Sequence, residues 1–217
     1  MSSFTSLTPL PTTVPPMVAS QRPSLGFGPL LAAGGAAAGL LLVAAPALAH
    51  HLEAGQLPAS LLAGFMSGLA HPLLGPDHLL VLLAIGLAGW RQPGRWIPML
   101  VACSLLGSVA GLARPGLPGA ELLVALSLMV AGGVALRRLP GWLMLPLIAC
   151  HGYALSGVMV GAEPTPLGAY LLGLGLIQVL LLWAGVALCR RAERLRPHLA
   201  GLLIGVGLVS TLAIAFG

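Results

Sequence analysis

The feature that most limits how this chain can fold is the length of its uncharged runs. From Ser60 to Gly89 the only charged residue is Asp77, and further apolar stretches cover Trp96 to Ala113, Ala120 to Leu136, Trp142 to Val160, Leu167 to Leu188 and Leu199 to Phe216. Each of the last five approaches the roughly 20 residues with which a helix crosses the hydrocarbon core of a bilayer. Charged residues make up 7% of the 217 residues, against about a quarter in globular proteins, and the mean hydropathy is +1.00. A soluble domain is excluded, and the expected fold is an all-α polytopic membrane protein.

Arginine placement sets the expected topology. The ten basic residues are all Arg, and the acids are Glu53, Asp77, Glu121, Glu163 and Glu193. The stretch from Ser60 to Gly89 would make about 45 Å of straight helix, longer than the hydrocarbon core, so it must tilt, break or count as two passes. Taken as one crossing, it puts Arg91/Arg95, Arg137/Arg138 and Arg190/Arg191/Arg194/Arg196 on one side and leaves Arg114 on the other. Basic residues collect in cytoplasmic loops, so this count predicts six transmembrane helices with both mature termini outside the cytoplasm. Two crossings would reverse every later loop. Pro72, Gly75 and Pro76 lie where the first helix is expected to break. The basicity therefore reads as membrane orientation, with no nucleic acid as partner.

Residues 1–49 read as a signal peptide: a Ser/Thr/Pro-rich start with Arg22, an apolar segment from Leu25 to Ala45, and Ala47-Leu48-Ala49 before His50. Its length suggests a true start at Met17. Cleavage after Ala49 would leave residues 50–217 as a six-span membrane domain and place an α-amine beside the imidazoles of His50 and His51, a ready chelate for a transition metal. An uncleaved first helix is the alternative, and either way His50 lies outside. Cys103, Cys150 and Cys189 occur singly in apolar segments, which argues against a disulfide framework or zinc finger.

The chemistry concentrates in His71-Pro72-Leu73-Leu74-Gly75-Pro76-Asp77-His78. Ionisable groups at membrane depth cost several kcal/mol unless they pair or serve a cavity, so two imidazoles and a carboxylate here need a reason. As ligands they suit Ni²⁺, Co²⁺ or Zn²⁺ and are poor for Mg²⁺ or Ca²⁺. On a straight helix His71 and His78 stand about 10 Å apart along the axis. Either the break folds them together or they are successive stations on a path; a hydrogen-bonded cluster that pins helices is the plainer reading. His151 can supply an imidazole from another helix. Glu163, beside Pro164, reads equally as a cap, a solvated surface group or an ion entry. Cys150 reads as a small hydrophobe, Gln178 as an interhelical hydrogen bond, Glu121 as a helix N-terminal carboxylate and His198 as an interfacial ring. The many glycines suit close helix packing.

These residues resemble the HupE/UreJ hydrogenase and urease accessory proteins, nickel or cobalt permeases of the bacterial cytoplasmic membrane. The resemblance rests on His71-x5-Asp77-His78, on His151-Gly152-Tyr153-Ala154, and on the leader, spans and arginine loops around them. Family members commonly continue the second motif as His-Gly-x-Ala-x-Gly-x-Glu. Here Leu155, Ser156, Gly157 and Val158 follow, and Gly161-Ala162-Glu163 comes later. That departure is either a short insertion that keeps Glu163 in role or the loss of one ligand. The resemblance implies Ni²⁺ or Co²⁺ as transported substrate for metalloenzyme or cofactor maturation, no resident cofactor, and His50, His51, His71, Asp77, His78, His151 and Glu163 as metal-handling residues. No enzyme is expected, since His-Glu-x-x-His is missing, and no ATPase motif can occur without lysine. The rival is a membrane metal-binding accessory or sensor protein that does not transport.

Overall fold

A computed structural model describes residues 57–88, 91–191 and 193–216. The described residues are helical, without strands: α1 (Leu61–Leu74), α2 (Pro76–Leu87), α3 (Pro93–Ala113), α4 (Ala120–Ala135), α5 (Met144–Leu155), α6 (Pro164–Arg191) and α7 (Arg196–Phe216). Short 3₁₀ turns at Gly141–Leu143, Gly157–Met159 and Glu193–Leu195 extend the ends of α5 and lead into α7. Ser60 starts α1 by accepting a hydrogen bond from the Ala63 amide at 3.1 Å, the usual way to satisfy an orphan donor at a helix start. Arg137, with φ of 58°, turns the chain out of α4.

Four stretches are long and apolar enough to cross a membrane: Pro93–Ala113, Gly141–Met159, Pro164–Arg191 and Glu193–Phe216. The pair α1 and α2 makes a fifth if taken as one span bent by 74°, and Ala120–Ala135 is a shorter apolar helix. Large apolar side chains face outward along these helices, with Leu106 68%, Leu172 72% and Leu180 54% exposed. Side chains of this kind on the outside of a bundle are what a lipid solvent requires. The expected signal peptide, Met17, His50 and His51 lie outside the described residues.

Close backbone contacts fix how the helices run. Gly64 abuts Pro166, Gly68 abuts Tyr170 and Leu174, and Gly86 abuts Leu182 and Gly185. Rising positions along α1 and α2 therefore meet rising positions along α6, so both arms of the broken pair run in the same sense as α6. The stretch from Pro166 to Gly185 is about 28 Å at 1.5 Å per residue, close to the thickness of a hydrocarbon core. Likewise α3 runs parallel to α5, with Gly107 on Ala149 and Gly111 on Tyr153 and Ser156. Helix α4 runs antiparallel to α7, where Gly132 meets Ala200 and Ile204 while Gly207 meets Met129 and Ala125. Following these pairings around the bundle brings the ends that carry Arg91/Arg95, Arg137/Arg138 and Arg190 to Arg196 to one side. Arg114 lies at the opposite end, where its carbonyl accepts from the Tyr153 hydroxyl at 2.5 Å.

These contacts leave no room for a side chain at the crossing points. A Cβ at Gly107 would fall on the Ala149 carbonyl, whereas Gly157 has open space around it. Gly107→Leu is expected to separate α3 from α5 and to cost at least the 1–3 kcal/mol or so typical of overpacking. Gly157→Ala should be close to neutral, and reversible unfolding in mixed detergent micelles measures both.

Candidate metal-ion path

The local chemistry of two prolines shapes the break. Pro76 has no N–H to give to the Pro72 carbonyl, and Pro72 has none for Gly68, so both carbonyls flanking His71 lose their helical donors. Gly75, ahead of Pro76, is extended at φ −87° and ψ 100°, as the residue before a proline prefers. Its own N–H still closes the last turn of α1 on His71 O at 3.1 Å, and its carbonyl accepts from Leu79 N at 2.9 Å to open α2. Pro76 takes the first position of α2, where a missing N–H costs nothing. The break expected over Pro72 to Pro76 is thus narrowed to Gly75. Pro72 is carried through inside α1, buried, because Gly75 rather than His71 leaves the helical region.

That break brings the imidazoles together. The ring centres of His71 and His78 are 5.7 Å apart with planes tilted by 44°, much closer than the straight-helix separation. His78 lies 5.7 Å from the ring of His151, edge-on at 78°. Two imidazoles on one tetrahedral ion place their ring centres roughly 5 Å apart, so each neighbouring pair is near bridging distance. The three form a row with His78 in the middle, contributed by α1, α2 and α5. Among the described residues no group of three His, Cys, Asp or Glu side chains forms a single metal cage. The contacts are pairwise, His71 with His78 and His78 with His151. The Asp77 side chain lies outside the described residues.

Two residues without an expected role border this row. Tyr170 of α6, fully buried, sets its ring edge against His71 at 6.3 Å, and its hydroxyl donates to the Leu155 carbonyl at 2.5 Å. Ser127 of α4, also fully buried, has its hydroxyl 2.7 Å from Nε2 of His151. Neither sits at a spacing that ties it to a histidine in the sequence; the only signal was a polar group inside an apolar span. Gln178 forms the expected interhelical bond, its Nε2 donating to Ser104 Oγ at 2.9 Å. Ser108 Oγ, in turn, donates to the Gly152 carbonyl at 2.8 Å. This hydrogen-bonded layer fixes α3 against α5 beside His151.

The structure does not gather every expected residue. Glu163 is exposed in the loop before α6, where its carbonyl accepts from Leu167 N at 3.1 Å. It stands seven residues ahead of Tyr170, or about 10 Å outward along the axis. Leu57 approaches Gly161 at that same end. His198 is exposed in the first turn of α7, at the arginine-bearing end. Cys103 and Cys150 are partly buried, Cys189 is buried, and all three are free thiols.

The family model described as HupE / UreJ protein matches residues 38–215. The chain belongs to the HupE/UreJ family. That match covers α1 to α6, α7 as far as Ala215, and both histidine motifs, and it assigns the chain to a transporter-type accessory family associated with nickel and cobalt rather than to an enzyme family. No curated protein and no solved structure matches the chain. In this HupE/UreJ protein the three rings lie at the break between α1 and α2. Irregular backbone at membrane depth is tolerated only where protein or a polar cavity serves it, and broken helices in transporters carry substrate sites for that reason.

Proposed function

We propose that this protein is a permease that imports Ni²⁺, or Co²⁺, across the bacterial cytoplasmic membrane for metalloenzyme or cofactor maturation. The observation that carries the reading is the row His71, His78, His151 at the break between α1 and α2. Neutral imidazoles bind these ions as borderline ligands, and three in sequence let an ion exchange one ring for the next without passing through bare hydrocarbon. Asp77, next to His78, supplies the compensating charge. The carbonyls of Gly68 and Pro72, each without its i+4 amide donor, offer oxygen ligands near His71.

The same reading places capture outside, at His50, His51 and Glu163, with cleavage after Ala49. Leu57 beside Gly161 supports this, because it brings the chain that follows His51 to the end where Glu163 is exposed. Six crossings with the mature termini outside fit the observed pairing: first with fifth and second with fourth parallel, third with sixth antiparallel. Eight arginines at one end then face the cytoplasm. The membrane potential, worth about 2.3 kcal/mol per charge per 100 mV, drives a divalent cation inward.

Cells that express this chain alone should accumulate radioactive Ni²⁺ or Co²⁺ above control cells. Binding to isolated membranes without accumulation in cells would make the protein a metal-binding accessory instead. A tag after Gly217 should be reached by an impermeant label from outside, and labelling from the cytoplasm alone would overturn the six-crossing topology. Replacing His50 and His51 by Ala should reduce uptake at scarce metal and little at abundant metal, since capture limits flux only while the site is unsaturated. Equal loss at both concentrations would remove the capture role.

A further inference from the structure

Ser127 carries two short hydrogen-bonding contacts on a single hydroxyl. Its oxygen lies 2.6 Å from the Val124 carbonyl and 2.7 Å from Nε2 of His151. Ser127 is 0% and His151 2% exposed, so bulk water does not compete for either contact. A carbonyl oxygen only accepts. The one hydroxyl proton must therefore lie toward Val124, since two acceptor oxygens 2.6 Å apart with no proton between them would repel. What the hydroxyl offers His151 is then a lone pair, and Nε2 must carry the proton that meets it.

We infer that Ser127 is a positioning residue for the metal-ion path: it holds His151 as the neutral tautomer protonated at Nε2, which leaves the lone pair at Nδ1 for the ion. The inference rests on the permease reading for the identity of that ion. The alternative tautomer would present a proton from Nδ1, and a ring nitrogen that carries a proton cannot ligate a cation. Histidines that bind metals commonly donate their second N–H to a fixed oxygen, which sets the ring's tautomer and orientation. Here that oxygen comes from α4, a helix that contributes no ring to the row. It also has no sequence spacing that would relate it to His151. The Ser127 hydroxyl thereby links α4 packing to the chemistry of a residue on α5.

The ring ¹⁵N signals of full-length, histidine-labelled protein in lipid nanodiscs, without metal, read the tautomer directly. The His151 signals are those lost in His151→Asn. A protonated Nε2 and an unprotonated Nδ1 are expected in the wild type; a protonated Nδ1 would overturn the assignment. Ser127→Thr should keep the pattern, and Ser127→Ala should shift Nε2 as its hydroxyl partner is lost. In cells, Ser127→Ala should raise the Ni²⁺ concentration for half-maximal uptake about 10- to 100-fold, the range for lost supporting partners of metal ligands. Membrane abundance should be unchanged, and Ser127→Thr should restore most of the loss. An unchanged half-saturation in Ser127→Ala would overturn the positioning role. If wild-type cells accumulate no Ni²⁺, the permease reading falls, while the ring signals still decide the tautomer.

Discussion

His78→Ala is expected to reduce Ni²⁺ uptake by at least about 100-fold, beyond the loss expected from removing an outer partner of a metal ligand, with the protein still inserted at normal abundance. The reason lies in the order of the row. His78 is 5.7 Å from His71 on one side and 5.7 Å from His151 on the other, so both ring pairs of the proposed path share it. Removing His71 leaves the His78 and His151 pair, and removing His151 leaves the His71 and His78 pair. Removing His78 leaves neither, and an ion would have to cross from α1 to α5 without an intermediate ring. His71→Ala and His151→Ala should therefore each be severe but milder than His78→Ala. His198→Ala should be close to neutral, because that ring is exposed at the arginine-bearing end and not in the row. Initial uptake rates normalised to membrane protein measure the series. If His71→Ala or His151→Ala transports worse than His78→Ala, the ion does not pass through the middle ring.

The part of this arrangement that could be read from the sequence is the part fixed by local rules. Helix lengths follow from apolar run lengths, and the stretches expected at Trp96 to Ala113 and Leu199 to Phe216 fall within α3 and α7. The break follows from Pro72, Gly75 and Pro76, although only the structure shows that the chain turns at Gly75 and passes Pro72 in helical form. The convergence of His71 with His78 stood as one of two alternatives, because a sequence fixes axial rise but not the direction of a bend. Tyr170 and Ser127 were not legible. Their contacts with His71 and His151 join residues far apart in the chain, and hydrogen-bonding side chains inside apolar spans are found only once the helices are docked. Glu163 is the reverse case. Sequence similarity drew it toward the ligand set, whereas its place before α6 leaves it exposed and about two helical turns from the level of Tyr170. Its contribution would then be electrostatic attraction at the entrance, which is a different chemistry from ligation within the row.

A chain that keeps every imidazole but loses the break should also fail to transport. Combining Gly75→Ala with Pro76→Ala restores an N–H for the Pro72 carbonyl and removes the extended residue between α1 and α2. Relative to Ala, Gly costs about 1 and Pro about 3 kcal/mol inside a helix, so the double substitution biases residues 61–87 toward one continuous helix by up to about 4 kcal/mol. Opposing this bias are the contacts of Gly64 and Gly68 with one end of α6 and of Gly86 with the other, which the 74° bend allows to form together. Where the helix straightens, His71 and His78 return to about 10 Å apart along the axis, too far to share an ion. Uptake should fall more than about 10-fold although no ligand has been removed. Pro72→Ala alone should do much less, since α1 already runs helically through that position. Spin labels at Leu62 and Leu79 in a cysteine-free background read the bend directly, and their separation should lengthen in the double variant and not in Pro72→Ala. A lengthened distance with undiminished uptake would show that the ion does not need the two rings side by side.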